Sequence, residues 1–255
     1  MSKFVTNIAW SDVPHLTEKM KASMRSGVMP YQLEAREKGV PVLGAGAIYP
    51  VTESDLVVEP FPIPPHWAKF YALDVGWNRT AALFGALDRD SDIIYWYSEH
   101  YMAHEKPPVH ADAIKARGAW IPGVIDPAAR GRSQADGEKL YAQYLAQGLT
   151  LSIANNAVES GIYKVWERKS AGLLKVFSTC KNYLFEHRIY RRDDKGKVVK
   201  SNDHLMDCER YGVVSGPAIA KATPGAFGNR PIGGKPNHTT EWDVLTQLAS
   251  ESKMY

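Results

Sequence analysis

Cysteine is scarce: two residues, Cys180 and Cys208, in a chain of 255. Neither a disulfide framework nor a zinc-ligand spacing can be built from them, and a reducing compartment is the simplest setting. Long apolar runs are missing too. No stretch approaches the roughly 20 residues of a membrane span, and the N-terminus lacks a signal-peptide core. Charge of one sign is not in excess: 31 Lys and Arg against 28 Asp and Glu leave +3, which permits a polyanionic partner without requiring one. No GxxxxGK[ST] occurs, which excludes a Walker-type ATP site on this chain. The segment "GAGAIYP" at 44–50 has two glycines of a dinucleotide loop but not the third, and no clear strand feeds it. GxSxG and HExxH are absent, and Cys180 has no evident base partner. What is plentiful is aromatic: seven Trp and thirteen Tyr supply stacking surfaces as well as core.

The first 66 residues read as a connector with little core. A cap-like Ser11-Asp12 opens a short helix, a helical patch lies near 32–38, and "EPFPIPPHW" places four prolines in nine residues, which precludes a regular element. From Lys69 the pattern changes. "KFYALDVG", "TAALFGALD" and "DIIYWYSEHYM" are three successive strands joined by short turns, an antiparallel meander. Helix "KPPVHADAIKARG", strand "GVIDPAAR", helix "SQADGEKLYAQYLAQG", strand "LTLSIA" and helix "NAVESGIYKVWERKSAG" follow. "LLKVFST" and "CKNYLFEHRIY" then lead into a basic hairpin, "RRDDKGKVVK", and a last helix opens at "NDHLMDCERY" with Asn202 as its N-cap. Residues 215–255 are rich in Gly, Pro, Asn and Thr and read as a tail. The expected fold is α/β: a central mixed sheet that starts with a three-stranded antiparallel meander and carries helices on both faces.

Ligand sites of open α/β sheets lie at the carboxyl ends of strands. Asp74 ends the first strand and Asp126 the fourth, while Asp203, His204 and Asp207 share one side of the last helix. If the first and fourth strands are neighbours, these acids converge. Carboxylates so packed are costly without a counter-charge. Divalent cations provide one. Hard oxygen ligands suit Mg²⁺ or Mn²⁺, and two ions about 4 Å apart form a clamp for phosphoryl transfer. Ligation by His204 would favour Mn²⁺. Each residue also has a plainer use. An aspartate at a strand end is most often a turn former or cap, Asp203 suits a helix dipole, and a lone histidine is usually a surface group.

Basic residues surround the acids in sequence: Arg79 after the first, Arg130 and Arg132 after the second, and Arg191, Arg192, Lys195, Lys197 and Lys200 before the third. Taken alone the hairpin is a solvated surface; beside a metal site the same charges make a track for a phosphate backbone. Trp77 reads as core or rim packing rather than a nucleotide stacker.

Three segments, "YALDVGWNRTAALFGALD", "GVIDPAARGRSQADGEKLY" and "NDHLMDCERYGV", together resemble the nuclease domain of the large terminase subunit of tailed bacteriophages. The resemblance covers roughly 68–214, and its strongest motif is DHxxDxxRY at Asp203-His204, Asp207, Arg210 and Tyr211. It implies a ribonuclease H-like fold and a two-metal endonuclease. Asp74 would bridge both ions, Asp126 would bind one, Asp207 would complete the triad, and His204 and Asp203 would be auxiliary ligands or would support the ligands from behind. Cys208 stands where the family commonly has alanine. The same resemblance implies double-stranded DNA as substrate and three packaging partners: the portal protein, the small terminase subunit and an ATPase domain of the same large subunit. It implies action in the host cytoplasm during assembly, without membership of the mature virion. On this reading 1–66 join the nuclease (67–214) to an ATPase half that this chain lacks, and 215–255 extend it. A resolvase- or transposase-type enzyme of the same superfamily and a non-catalytic DNA- or portal-docking module are the alternatives.

Overall fold

Strand β3 (Ala68–Asp74) sends Phe70 and Ala72 to one side and Tyr71 and Leu73 to the other, and all four are buried. A strand covered on both faces reads as a near-continuous apolar run, which is why its sequence barely alternates. In this computed structural model, which describes residues 9–26, 37, 46–130 and 139–225, β3 is an inner strand of a seven-stranded sheet. It pairs antiparallel with β4 (Thr80–Asp88), which pairs antiparallel with β5 (Ile93–Met102). The expected meander is therefore present. Parallel strands extend it on both sides: β6 (Gly123–Ile125) then β7 (Leu151–Ile153) beyond β3, and β8 (Leu174–Phe177) then β2 (Val57–Val58) beyond β5. The order is β2-β8-β5-β4-β3-β6-β7. A separate two-stranded ribbon joins β1 (Gly46–Ala47) to β9 (Arg191–Arg192).

Helices cover both faces, because parallel neighbours need crossovers. On the side of Phe70 and Ala72 lie α5 (Val158–Ser170), α6 (Lys181–Ile189) and α7 (His204–Ile219), which bury Ile162, Val165, Tyr183, Leu184, Leu205 and Met206. On the side of Tyr71 and Leu73 lie α3 (Pro107–Lys115) and α4 (Leu140–Ala146), with Ala111, Ile114 and Tyr144 inside. Each large apolar side chain so buried contributes about 1.5–3 kcal/mol. Helix α7 crosses β3, β4 and β6 closely. Its Gly212 and Gly216 make that possible: a Cβ there would come within 2.5 Å of Trp96 and 2.2 Å of Phe70.

Several expectations are corrected. The N-terminal helix is split into a 3₁₀ turn at Trp10–Asp12 and α1 (Glu18–Ser26). The helical patch near 32–38 lies, except for Glu37, outside the described residues. Residues 46–66 carry more core than a connector: α2 (Glu53–Leu56) leads into β2 at the sheet edge, and Ile48, Tyr49 and Leu56 are buried. Helix α6 occupies "CKNYLFEHRIY", where aromatic and charged residues blur the apolar stripe; it buries Tyr183, Leu184, Glu186 and His187. The N-cap position of the last helix is Asp203, without a side-chain capping bond, rather than Asn202, which adopts a left-handed turn at φ 51°. That helix also runs past 214 to Ile219, and Lys221 then pairs with Lys69. Cys180 and Cys208 are buried free thiols, and among the described residues no helix is long and apolar enough to cross a membrane.

Candidate functional site

The register of β3 and β6 brings two acids to one end of the sheet. Leu73 pairs with Ile125, and the Asp126 amide donates to the Leu73 carbonyl at 3.0 Å, so Asp74 and Asp126 leave neighbouring parallel strands at the same edge. Helix α7 starts over that edge. Glu186 of α6 positions its first turn: one carboxylate oxygen accepts the Leu205 amide at 2.6 Å and the other the Tyr101 hydroxyl at 2.6 Å. The buried carboxylate thereby satisfies a helix N–H that has no partner within the helix. Nothing in the local sequence points to Glu186, because it accepts a helix amide from nineteen residues away through tertiary packing.

His204, the first residue of α7, meets Asp74: its Nδ1 lies 2.8 Å from Asp74 Oδ2. Burial holds the Asp74 carboxyl above its ordinary range; His204 opposes that, while the nearby Asp207 and Asp126 reinforce it. The imidazole is raised in turn, first by its bond to Asp74. Asp74 is thus the acid that senses the other two. One oxygen of Asp126 also accepts the Ala128 amide at 3.1 Å, so the plainer role of turn former coexists with its place at the site.

The counter-charge in this structure is supplied by the protein. Lys200 Nζ sits 2.8 Å from Asp207 Oδ2 and 3.0 Å from Asp203 Oδ2. Arg210 holds the other oxygen of Asp207 at 2.8 Å and reaches Asn156 at 3.1 Å. Its side chain is 1% exposed and fits only because residue 161 is glycine: a Cβ there would meet Arg210 Cγ at 2.6 Å. Asp203 and Asp207 face these cations while Asp74 faces His204, and no three His, Cys, Asp or Glu side chains among the described residues are arranged to hold a metal ion as they stand. The donor chemistry nevertheless suits a hard divalent ion. The groups are carboxylates and one imidazole, and the nearest thiol, Cys208, is buried and points at the Ala81 carbonyl.

The basic residues divide. Arg79 stacks over the Tyr101 ring at 4.3 Å, and Tyr101 is itself edge-on to His204. Arg130, Arg191, Lys195 and Lys197 are exposed. Arg192 is not part of a solvent-facing track: it is buried and holds Glu159 through two bonds, at 3.0 and 2.7 Å, because the β1–β9 ribbon turns it inward. Lys200 lies on the acids. Arg132 falls outside the described residues. Trp77, expected in core or rim, is 65% exposed and stands edge-on to His104.

A meander flanked by parallel strands, with acids at adjoining strand ends and a helix carrying another across them, is the ribonuclease H-like class. The chain belongs to the terminase RNaseH-like domain family, whose match spans residues 71–215. It is 32% identical over 220 residues to the large terminase subunits of Salmonella phage P22 and Enterobacteria phage LP7; the match covers 83% of this chain but 44% and 46% of theirs. The chain therefore spans less than half the length of these relatives. Among solved structures, the nuclease domain of the P22 large terminase is 30% identical with a TM-score of 0.66, covering 72% of this chain and 98% of that one. The large terminase of a thermophilic bacteriophage shares the fold at 21% identity and a TM-score of 0.62, covering 81% of this chain and 54% of that one.

Proposed function

We propose that this chain is the metal-dependent endonuclease of a phage DNA-packaging motor, cutting concatemeric viral DNA by two-metal hydrolysis of a phosphodiester. The observation that carries the reading is the meeting of Asp74 and Asp126 at neighbouring strand ends under the start of α7, whose His204 lies 2.8 Å from Asp74 and whose Asp207 follows one turn later. Asp74, Asp126 and Asp207 would hold two Mg²⁺ or Mn²⁺ ions, with His204 and Asp203 as auxiliary ligands. Such ions supply Lewis acidity toward the phosphoryl oxygens and activate water as the nucleophile. The protein's own groups do the positioning. His204 orients the Asp74 carboxylate, Arg210 restrains Asp207, and Glu186 fixes the helix that carries both His204 and Asp207. Arg79, Arg130, Arg191, Lys195 and Lys197 would bind phosphates, which sets register on the duplex without reading its sequence.

The same reading makes 67–214 the nuclease body and 215–255 an extension. Residues 1–66 lead from an ATPase domain, with 46–66 docked on the nuclease. It proposes the portal and the small terminase subunit as further partners, and the host cytoplasm as the place of action. The test is plasmid cleavage in Mn²⁺. Asp74→Ala abolishes it while the melting transition stays cooperative; cleavage at the wild-type rate by this variant refutes the assignment.

A further inference from the structure

Two cations lie on Asp207, and they are not equivalent. Arg210 is almost wholly buried, bonds Asn156 as well, and rests over the Tyr211 ring at 4.5 Å, so it is a permanent part of the packing. Lys200 is 57% exposed at its side chain. It is held by the two carboxylates, and it precedes exposed Ser201 and Asn202, the second in a left-handed turn. Its ammonium spans Asp203 and Asp207, the two acids one helical turn apart that would otherwise repel. A divalent ion drawn to Asp207 meets this ammonium at the same carboxylate oxygen. Two cations in contact on one oxygen repel strongly, so the exposed one must leave.

We infer that Lys200 is a built-in counter-cation that competes with the divalent ion for Asp207 and Asp203, and so sets the metal affinity of the site before DNA arrives. The inference rests on the reading of these acids as metal ligands. Lys200 is on this account a positioning residue: it keeps Asp203 and Asp207 close and charge-balanced in the metal-free protein, at the cost of weaker metal uptake. A lysine that merely pins the start of α7 would, when removed, loosen the helix and leave metal binding unimproved or poorer.

The test is calorimetric titration of the whole chain with Mn²⁺ in the absence of DNA, alongside the rise in melting temperature that Mn²⁺ produces. Lys200→Ala binds Mn²⁺ more tightly by about two- to fivefold, the scale of one partly exposed ion pair, and shows the larger melting shift. Lys200→Arg keeps the charge and stays near the wild type. Equal or weaker Mn²⁺ binding by Lys200→Ala, with circular dichroism showing the fold retained, overturns the inference while leaving the metal site intact. No Mn²⁺ binding by either the wild type or Lys200→Ala overturns the metal reading itself, and this inference with it.

Discussion

Lys169 and Glu209 show how much a single residue pair can carry away from the acids. Both side chains are fully buried, and their charges meet at 3.0 Å between α5 and α7. Tyr183 donates to Glu209 at 2.5 Å, and the Lys169 ammonium lies 4.0 Å over the Tyr49 ring. Burial pulls the lysine down to about 8 against the pull of Glu209. Such a pair is weak support for stability as a whole, but breaking it strands a charge. Glu209→Ala should cost about 3–5 kcal/mol, whereas replacing both members by apolar residues of similar size, Lys169→Met with Glu209→Leu, should cost far less. Urea unfolding of the single and double variants measures the difference; equal losses would mean that the stranded charge is not what makes the single change costly. The acidic residues were legible one by one in the sequence. Their partners were not, because Lys200 and Arg210 read as solvated or motif positions and only the folded chain shows them on Asp207.

At the scale of elements, α7 is the part that brings chemistry to the sheet. Its position depends on close approach at two glycines. An exposed helical Gly→Ala change would stabilise by up to about 1 kcal/mol through propensity. At Gly216 the added Cβ would stand 2.2 Å from the buried ring of Phe70. Gly216→Ala should therefore destabilise by about 1–3 kcal/mol through overpacking, and the displaced helix should lower Mn²⁺-dependent cleavage as well. A stabilised variant in denaturant titration would show that helix and sheet have room to spare. Strands β3 to β7 and helices α3, α5 and α7 were legible from periodicity and punctuation; β1 and β2 were not, because they lie in short stretches read as a connector. Helix α6 was not, because its buried face includes Glu186 and His187, polar residues that only tertiary partners make tolerable.

For the molecule as a whole, buried neutral histidines predict how stability responds to acid. His100 is pushed down to about 4 by burial, with His110 and Arg117 acting the same way, and its Nε2 lies 2.9 Å from His110 Nδ1. His187, between the Tyr49 and Tyr183 rings, is pushed down to about 2 by burial and by Lys169 and Arg188. The unfolded chain protonates both near their ordinary value of 6.5. Between that value and the depressed ones the unfolded state binds more protons, so their contribution to stability is present above 6.5 and is lost as pH falls. Denaturant melts from about pH 7 to about pH 4 should show this loss, and His187→Phe should make it shallower. An unchanged slope in that variant would mean that His187 takes up its proton without unfolding.

The sequence by itself determined the strand meander, the alternation of parallel strands and helices after it, and the acids at strand ends, since these follow from local periodicity and turn chemistry. The family likeness was legible in the same motifs. Tertiary structure alone decided which strands the parallel ones lie beside, which basic residues face solvent, and what neutralises the acids. Those outcomes depend on residues far apart in the chain: the β3–β6 register, the Arg192–Glu159 pair and the cap from Glu186. The two aspartates of "NDHLMDCERY" needed a positive charge between them by elementary electrostatics. The fold put Lys200 there: the chain between it and α7 takes a left-handed turn at Asn202, and the ammonium lies within reach of both carboxylates.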